Sequence, residues 1–300
     1  MKTILTFLMA MLFSMSAVAQ KTVEVIWPFA PGSNQASALR KIIDHANTSQ
    51  NTYRFIFGNR PGAGGAIAVN HMLNDKQLTL VMSSTSIFTR PAFYPNESYK
   101  LDDLAPIFVT SYGSPLVLVS KKYKSIEDLR AQKEVTVGVN YGSVTEIVAK
   151  VLQSSLPNTK LIMVPYPNGL NAITDTAGGH VDTALNLPRD VIQFVETGAL
   201  HVVGATGTKD NPPFKTFKSQ GINSLDSIAV NYYILGSNKL ENSLLVELNE
   251  IFRKANATAD VKELWFNDYS IPTTMNLKET EKFWTSQDNM WKTLSKNIQK

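Results

Sequence analysis

The chain has 300 residues, with 29 Lys and Arg against 25 Asp and Glu, four His and no Cys. A formal net charge of +4, with no basic run interleaved with aromatics, does not describe a nucleic-acid binder. The lack of Cys excludes a disulfide framework, a thiolate metal site and a lipoprotein attachment site, so stability must come from core burial.

The first residues bear on compartment. Met1-Lys2 supplies a short positive segment, the run from Ile4 to Met15 is almost wholly apolar, and Ala17-Val18-Ala19 follows as a small-x-small cleavage pattern. The apolar run is about a dozen residues, short of the ~20 that cross a bilayer as a helix. A signal peptide over 1–19 is therefore expected, with a soluble exported chain beginning near Gln20. An uncleaved anchor is the alternative. Cleavage removes Lys2, taking the 29 basic residues to 28 against 25 acidic. No later stretch is long and apolar enough to span a membrane.

In chain order, Thr22-Val23-Glu24-Val25-Ile26-Trp27 alternates as a strand and ends at Pro28. A Pro/Gly loop leads to a helix over 35–46, with Ser33 or Asn34 as N-cap. A strand at 53–57, a Gly-rich turn at 58–65, a helix at 66–73 and a strand at 78–82 follow, the last ending in Ser83-Ser84-Thr85-Ser86. The same grammar then repeats. Strands are expected at 115–119, 135–139, 160–164, 183–185 and 201–204, and helices at 125–129, 144–156, 170–177 and 190–197. Ser125 is the cap of the first of these helices, with Asp128 at the capping-box position. Such alternation implies mainly parallel sheets with helices on both faces. The tail differs, with a strand at 231–236 and then helices at 243–255, 259–266 and 277–298. Trp284, Met290, Trp291, Leu294 and Ile298 form a stripe suited to docking on the first lobe. Crossings near 111–114 and 227–231 are then hinge strands.

Ligands of open parallel sheets lie beyond the carboxyl ends of the strands, where helix N-termini present unpaired amides to anions. Three such places are rich in small polar residues: 29–34, 83–86 and 141–145. Catalytic signals are thin. The four histidines show no metal spacing, and neither a nucleophile elbow nor a phosphate loop is present. Arg60-Pro61-Gly62-Ala63-Gly64-Gly65 lacks the Lys of a phosphate cradle and reads as a tight turn. Ser143 and Ser84 are conceivable nucleophiles, but no base is identifiable nearby.

The string Val25-Ile26-Trp27-Pro28-Phe29-Ala30-Pro31-Gly32 with Arg40, and then Asn59-Arg60-Pro61-Gly62-Ala63-Gly64-Gly65, resemble the two N-terminal signatures of the Bug family. These are the substrate-binding proteins of tripartite tricarboxylate transporters. The likeness continues through 78–84, 99–106, 137–143, Val164-Pro165-Tyr166 and Gly178-Gly179-His180-Val181-Asp182, in the expected order. It implies a type II periplasmic-binding-protein fold, two α/β lobes with mainly parallel sheets and a ligand cleft between them. Residues 20–112 and 229–300 would form lobe 1, and 113–228 lobe 2. The implied function is capture of a small di-, tri- or aromatic carboxylic acid in the periplasm and delivery to transporter subunits in transient contact. No enzyme activity, cofactor, metal or nucleic acid is implied, and the chain would act as a monomer. A sensor presenting its closed form to a signalling partner is the alternative.

The resemblance carries ligand contacts onto Phe29, Ala30, Gly32 and Ser33 after the first strand. On the second lobe it carries them onto Tyr141, Gly142, Ser143 and Thr145, and at other strand ends onto Ser84, Tyr166 and Asn186. The sequence departs from the family pattern at Ser33, at Ala36 (usually Asp), at Pro167-Asn168 and at Asn186 (often Asp). A neutral amide at 186 loses the ion pair suited to a ligand amino group. These departures leave the identity of the acid open.

Overall fold

A computed structural model describes residues 20–94 and 96–298; the signal segment expected over 1–19 lies outside the described residues. Strand β1 (Lys21–Trp27) alternates apolar residues toward a buried face and leads through a tight loop into α1 (Asn34–Ser49). Of the two candidate caps, Ser33 begins that helix, its Oγ accepting the Ala36 N–H at 3.2 Å. Ala36, Leu39, Ile42, Ile43 and Ala46 recur at helical spacing and are buried. Burying each of the larger ones stabilises the lobe by roughly 1.5–3 kcal/mol.

The first lobe continues with β2 (Tyr53–Asn59), α2 (Ala66–Asn74), β3 (Thr79–Ser84), α3 (Ser86–Phe93) and the 11-residue β4 (Leu104–Ser114). The second lobe then runs β5 (Val117–Ser120), α4 (Ile126–Arg130), β6 (Glu134–Asn140), α5 (Val144–Ser154) and β7 (Lys160–Tyr166). It finishes with α6 (Gly169–Gly178), β8 (Thr183–Asn186), α7 (Pro188–Glu196) and β9 (His201–Ala205). The chain returns through β10 (Val230–Ser237) to α8 (Asn242–Asn256), α9 (Ala259–Phe266), a two-residue β11 (Ile271–Pro272) and α10 (Leu277–Ile298). Among the described residues no helix is long and apolar enough to cross a membrane.

Two sheets result, with strand orders β11-β4-β10-β3-β1-β2 and β7-β6-β8-β5-β9. They are mixed rather than mainly parallel. β1 pairs in parallel with β2 and β3, and β6 with β7 and β8. β10 runs antiparallel to β3 and β4, and β5 antiparallel to β8 and β9. The reason is topological. Strands of a β-α-β unit run toward the cleft, whereas β5 and β10 start at the hinge and must run away from it.

The C-terminal helices cover lobe 1 as the aromatic stripe suggested. Trp284 of α10 lies 4.4 Å from Phe88 of α3 and edge-on to Tyr233 of β10, ring centroids 5.6 Å apart. Helix α10 also touches α5 of the other lobe. Helix α8 closes the open side of β4: Asn249 Nδ2 donates to Ile107 O at 2.8 Å, and Asn256 Nδ2 to Thr110 O at 2.8 Å. Asn256 Oδ1 in turn accepts Trp265 Nε1 at 2.9 Å, so both ends of this fully buried amide are paired.

Candidate functional site

The loop after β1 is organised by its carbonyl oxygens. Asn59 Nδ2 donates to Trp27 O (2.8 Å) and Phe29 O (2.9 Å), while Trp27 Nε1 and the Ser33 N–H both donate to Ala30 O. Arg40 Nη1 holds Pro31 O at 3.0 Å. Each of these carbonyls is taken by the protein, while the N–H groups of Phe29, Ala30 and Gly32 meet no acceptor among the described residues. Ala30 and Gly32 are exposed. A loop with filled carbonyls and free amides carries local positive potential and suits an anion. Ser33 Oγ caps α1 as an acceptor, which leaves its O–H able to donate beside these amides.

Ser84 is buried at the end of β3, its Oγ turned onto Ser86 Oγ (3.2 Å) and the Ser86 N–H (3.3 Å). On lobe 2 the polar groups of 141–145 are also engaged. Ser143 Oγ donates to Asn140 O at 3.0 Å, lies 2.9 Å from Thr145 Oγ1 and accepts the Thr145 N–H. Thr145 Oγ1 accepts the Asn140 N–H at 3.0 Å. Neither Ser84 nor Ser143 meets a histidine among the described residues. Tyr141 is 68% exposed, with its N–H toward Tyr166 O. Tyr166 Oη donates to Asp175 Oδ2 at 2.7 Å, and burial together with that carboxylate pushes the phenol up to about 12.

The Gly142 N–H, expected to face a ligand carboxylate, donates instead to Glu146 Oε2 at 2.9 Å. The same oxygen accepts Tyr94 Oη of lobe 1 at 2.7 Å, and Lys150 Nζ pairs with Oε1 at 2.8 Å. Burial works to raise the Glu146 pKa, but Lys150, Tyr94 and the Gly142 amide outweigh it and hold the carboxyl below its ordinary value. Arg90 of α3 completes the contact between lobes. It pairs with Glu97, reaches Gly142 O at 3.4 Å and lies over the Tyr94 ring. Gly64, at φ +58°, packs so closely here that a Cβ on it would lie 2.6 Å from Gly142 O.

Behind this rim the strand ends stand abreast. Asn140 is level with Tyr166, and Gly138 with Ala184, the last β6–β8 pair, so Asn140 and Asn186 each lie two residues beyond it at the same end of neighbouring strands. Asn186 is 5% exposed; its Oδ1 accepts the Leu187 N–H at 2.8 Å, which fixes the amide orientation and leaves Nδ2 without a partner. A Cβ on Gly169 would fall 2.0 Å from that Nδ2, so only Gly fits opposite it. Asn140 Oδ1 is likewise buried and unpartnered.

Three charged groups that sequence reasoning did not mark complete the region. Asp268, fully buried, accepts Gln35 Nε2 at 2.8 Å through Oδ2 while Oδ1 has no partner, and its backbone oxygen accepts Ser114 Oγ of the hinge. Burial pushes its carboxyl up to about 7, against Gln35 and with help from the negative charge of Asp190; Arg189 opposes the rise. Asp190, in the first turn of α7, is open to water yet raised by desolvation against Arg189. A cysteine-like or metal-like marker is lacking here: among the described residues no trio of His, Asp or Glu gathers as metal ligands. His45 pairs with Asp260 at 3.0 Å, on the outer face of α1. A separate groove of about 530 Å³ runs along β11 and α10, lined by Tyr112, Ile271, Met275 and Phe283, apart from these strand ends.

The chain is 25% identical over 209 residues to the UPF0065 protein of the tcbD-tcbE intergenic region of a Pseudomonas species, covering 66% of this chain and 62% of that one. It thus spans less than two thirds of that relative. In fold it is similar to the periplasmic binding protein BugD (TM-score 0.80, 17% identity, 93% of this chain and 97% of that one). It is similar also to MatC of Rhodopseudomonas palustris with bound malate (TM-score 0.80, 16% identity, 92% and 99%). Residues 40–299 match the tripartite tricarboxylate transporter family receptor, TctC, and the chain belongs to that family.

Proposed function

We propose that this receptor is exported to the periplasm, captures a small carboxylate between lobes 20–112/229–300 and 113–228, and hands it to the membrane subunits of a tripartite transporter. The observation that carries the reading is the loop after β1, where the carbonyls of Trp27, Phe29, Ala30 and Pro31 are engaged while the Phe29, Ala30 and Gly32 amides meet no acceptor among the described residues. Free amides bind a carboxylate without any Lys or Arg, and closure of the lobes lowers the dielectric around them. No bond is made or broken; the cycle is reversible trapping. The malate in MatC and the name BugD support the same class for this chain.

The test is thermal stabilisation of the exported chain by a panel of mono-, di-, tricarboxylic and aromatic acids and by neutral sugars. A ligand at 100 times its Kd stabilises the folded state by about 2.7 kcal/mol. At least one acid is expected to raise the Tm and no sugar to do so. A sugar that raises it while every acid leaves it unchanged would overturn the reading.

A further inference from the structure

The family seat for a ligand carboxylate on lobe 2 is filled from within. Glu146 takes the Gly142 N–H at 2.9 Å, and its charge is fixed there by Lys150 and by Tyr94 across the cleft. Ser143 and Thr145 hydroxyls bind each other and the Asn140 backbone. Arg90 faces Glu97 and Gly142 O, and Arg189 stands beside Asp190. A second ligand carboxylate entering lobe 2 would therefore meet Glu146 and Asp190 without an unengaged amide at Gly142. Two neutral side-chain atoms of lobe 2 are buried and unpaired among the described residues: Asn186 Nδ2, a donor in a side chain 5% exposed that packs against Gly169, and Asn140 Oδ1, an acceptor at the same end of the neighbouring strand. One donor and one acceptor side by side match a primary amide, which offers the complementary pair.

We propose that the ligand carries one carboxylate, held by the lobe 1 loop, and a neutral amide at its other end, held by Asn140 and Asn186, in preference to a dicarboxylate. The proposal deepens the receptor reading and rests on it. Calorimetric titration of the full exported chain with succinamate against succinate, glutaramate against glutarate, and adipamate against adipate tests it. The amide-acid is expected to bind at least about tenfold more tightly in the pair of best-fitting length, the ratio expected of a like-charge clash. Glu146→Gln keeps an acceptor for the Gly142 N–H but removes the charge, and should narrow the gap by strengthening the diacid. Asn186→Asp should weaken the amide-acid while keeping the fold, which a melting curve of each variant checks. A diacid that binds as tightly as its amide-acid, or binding of other carboxylates with all six of these silent, overturns the proposal and leaves the receptor reading standing. Binding confined to neutral solutes overturns the receptor reading itself.

Discussion

Gly64→Ala isolates lobe closure from lobe stability. The residue sits at φ +58°, where an alanine costs about 1–2 kcal/mol. That strain lies within lobe 1 and lowers the Tm whether the cleft is open or shut. The main clash does not: the added Cβ meets Gly142 O, a backbone atom of the other lobe, at 2.6 Å, closer than the flexible Arg90 side chain of its own lobe at 3.0 Å. To reach ordinary contact near 3.4 Å the lobes must part by roughly 0.8 Å at this point. The Arg90–Gly142 contact, already 3.4 Å, is then lost, and the 2.7 Å Tyr94–Glu146 bond is stretched. A hydrogen bond to a charged group contributes about 1.5–3 kcal/mol, and each 1.4 kcal/mol is tenfold in affinity. Gly64→Ala should therefore weaken ligand binding about ten- to hundredfold and enlarge the ligand-bound radius of gyration in solution scattering. Gly179→Ala is the control, since it has φ +83° with nothing within 4 Å of the new Cβ. It should lower the Tm by a similar amount and leave affinity alone. Affinity of Gly64→Ala within twofold of the parent, or an equal loss in Gly179→Ala, would refute the role given to the rim contact.

Two further outcomes follow from buried polar groups. Asp268 has a folded pKa of about 7 against about 3.9 unfolded, so the fold favours its neutral form. Its contribution is complete below about pH 4 and is lost as pH rises through 7, with Gln35, Asp190, Arg189 and Tyr232 as its polar surroundings. Asp268→Asn should match the parent Tm at pH 4 and exceed it at pH 8; a Tm difference that does not change with pH speaks against this. Asn256→Ala strips partners from Thr110 O, Thr273 O and Trp265 Nε1 at once and should cost about 3 kcal/mol or more in urea unfolding. A loss below about 1 kcal/mol would show that the edge closure contributes little.

Much of the fold was legible in the sequence because its signals are local. The caps at Ser33 and Ser125 accept first-turn amides as expected, and helix 259–266 begins and ends as read. Strand β4 escaped because Pro106 and Gly113 interrupt its pattern, and α3 because Pro91 lies inside it. The Asp128 carboxylate at the capping-box position reaches back to the Lys124 N–H at 2.7 Å and also feels that of Ser125. The site was half legible. The loop after β1 is recognisable from its Pro and Gly residues, but Tyr94 and Glu146 are 52 positions apart and carry no local sign of their meeting. Nor does a Glu in the first turn of a helix disclose that it will fill the very amide a ligand was expected to take.

The sheet edges bear on how these molecules treat one another. An open strand edge invites a second copy to add a strand of its own. On lobe 1 the outer side of β4 faces Asn249 and Asn256 and then the short β11, leaving no long run of bare backbone there. On lobe 2 the edge strand β7 carries Pro165, which has no N–H to offer a neighbour. The β4 side of one sheet and the β7 edge of the other therefore offer a second copy of the chain little bare backbone to extend.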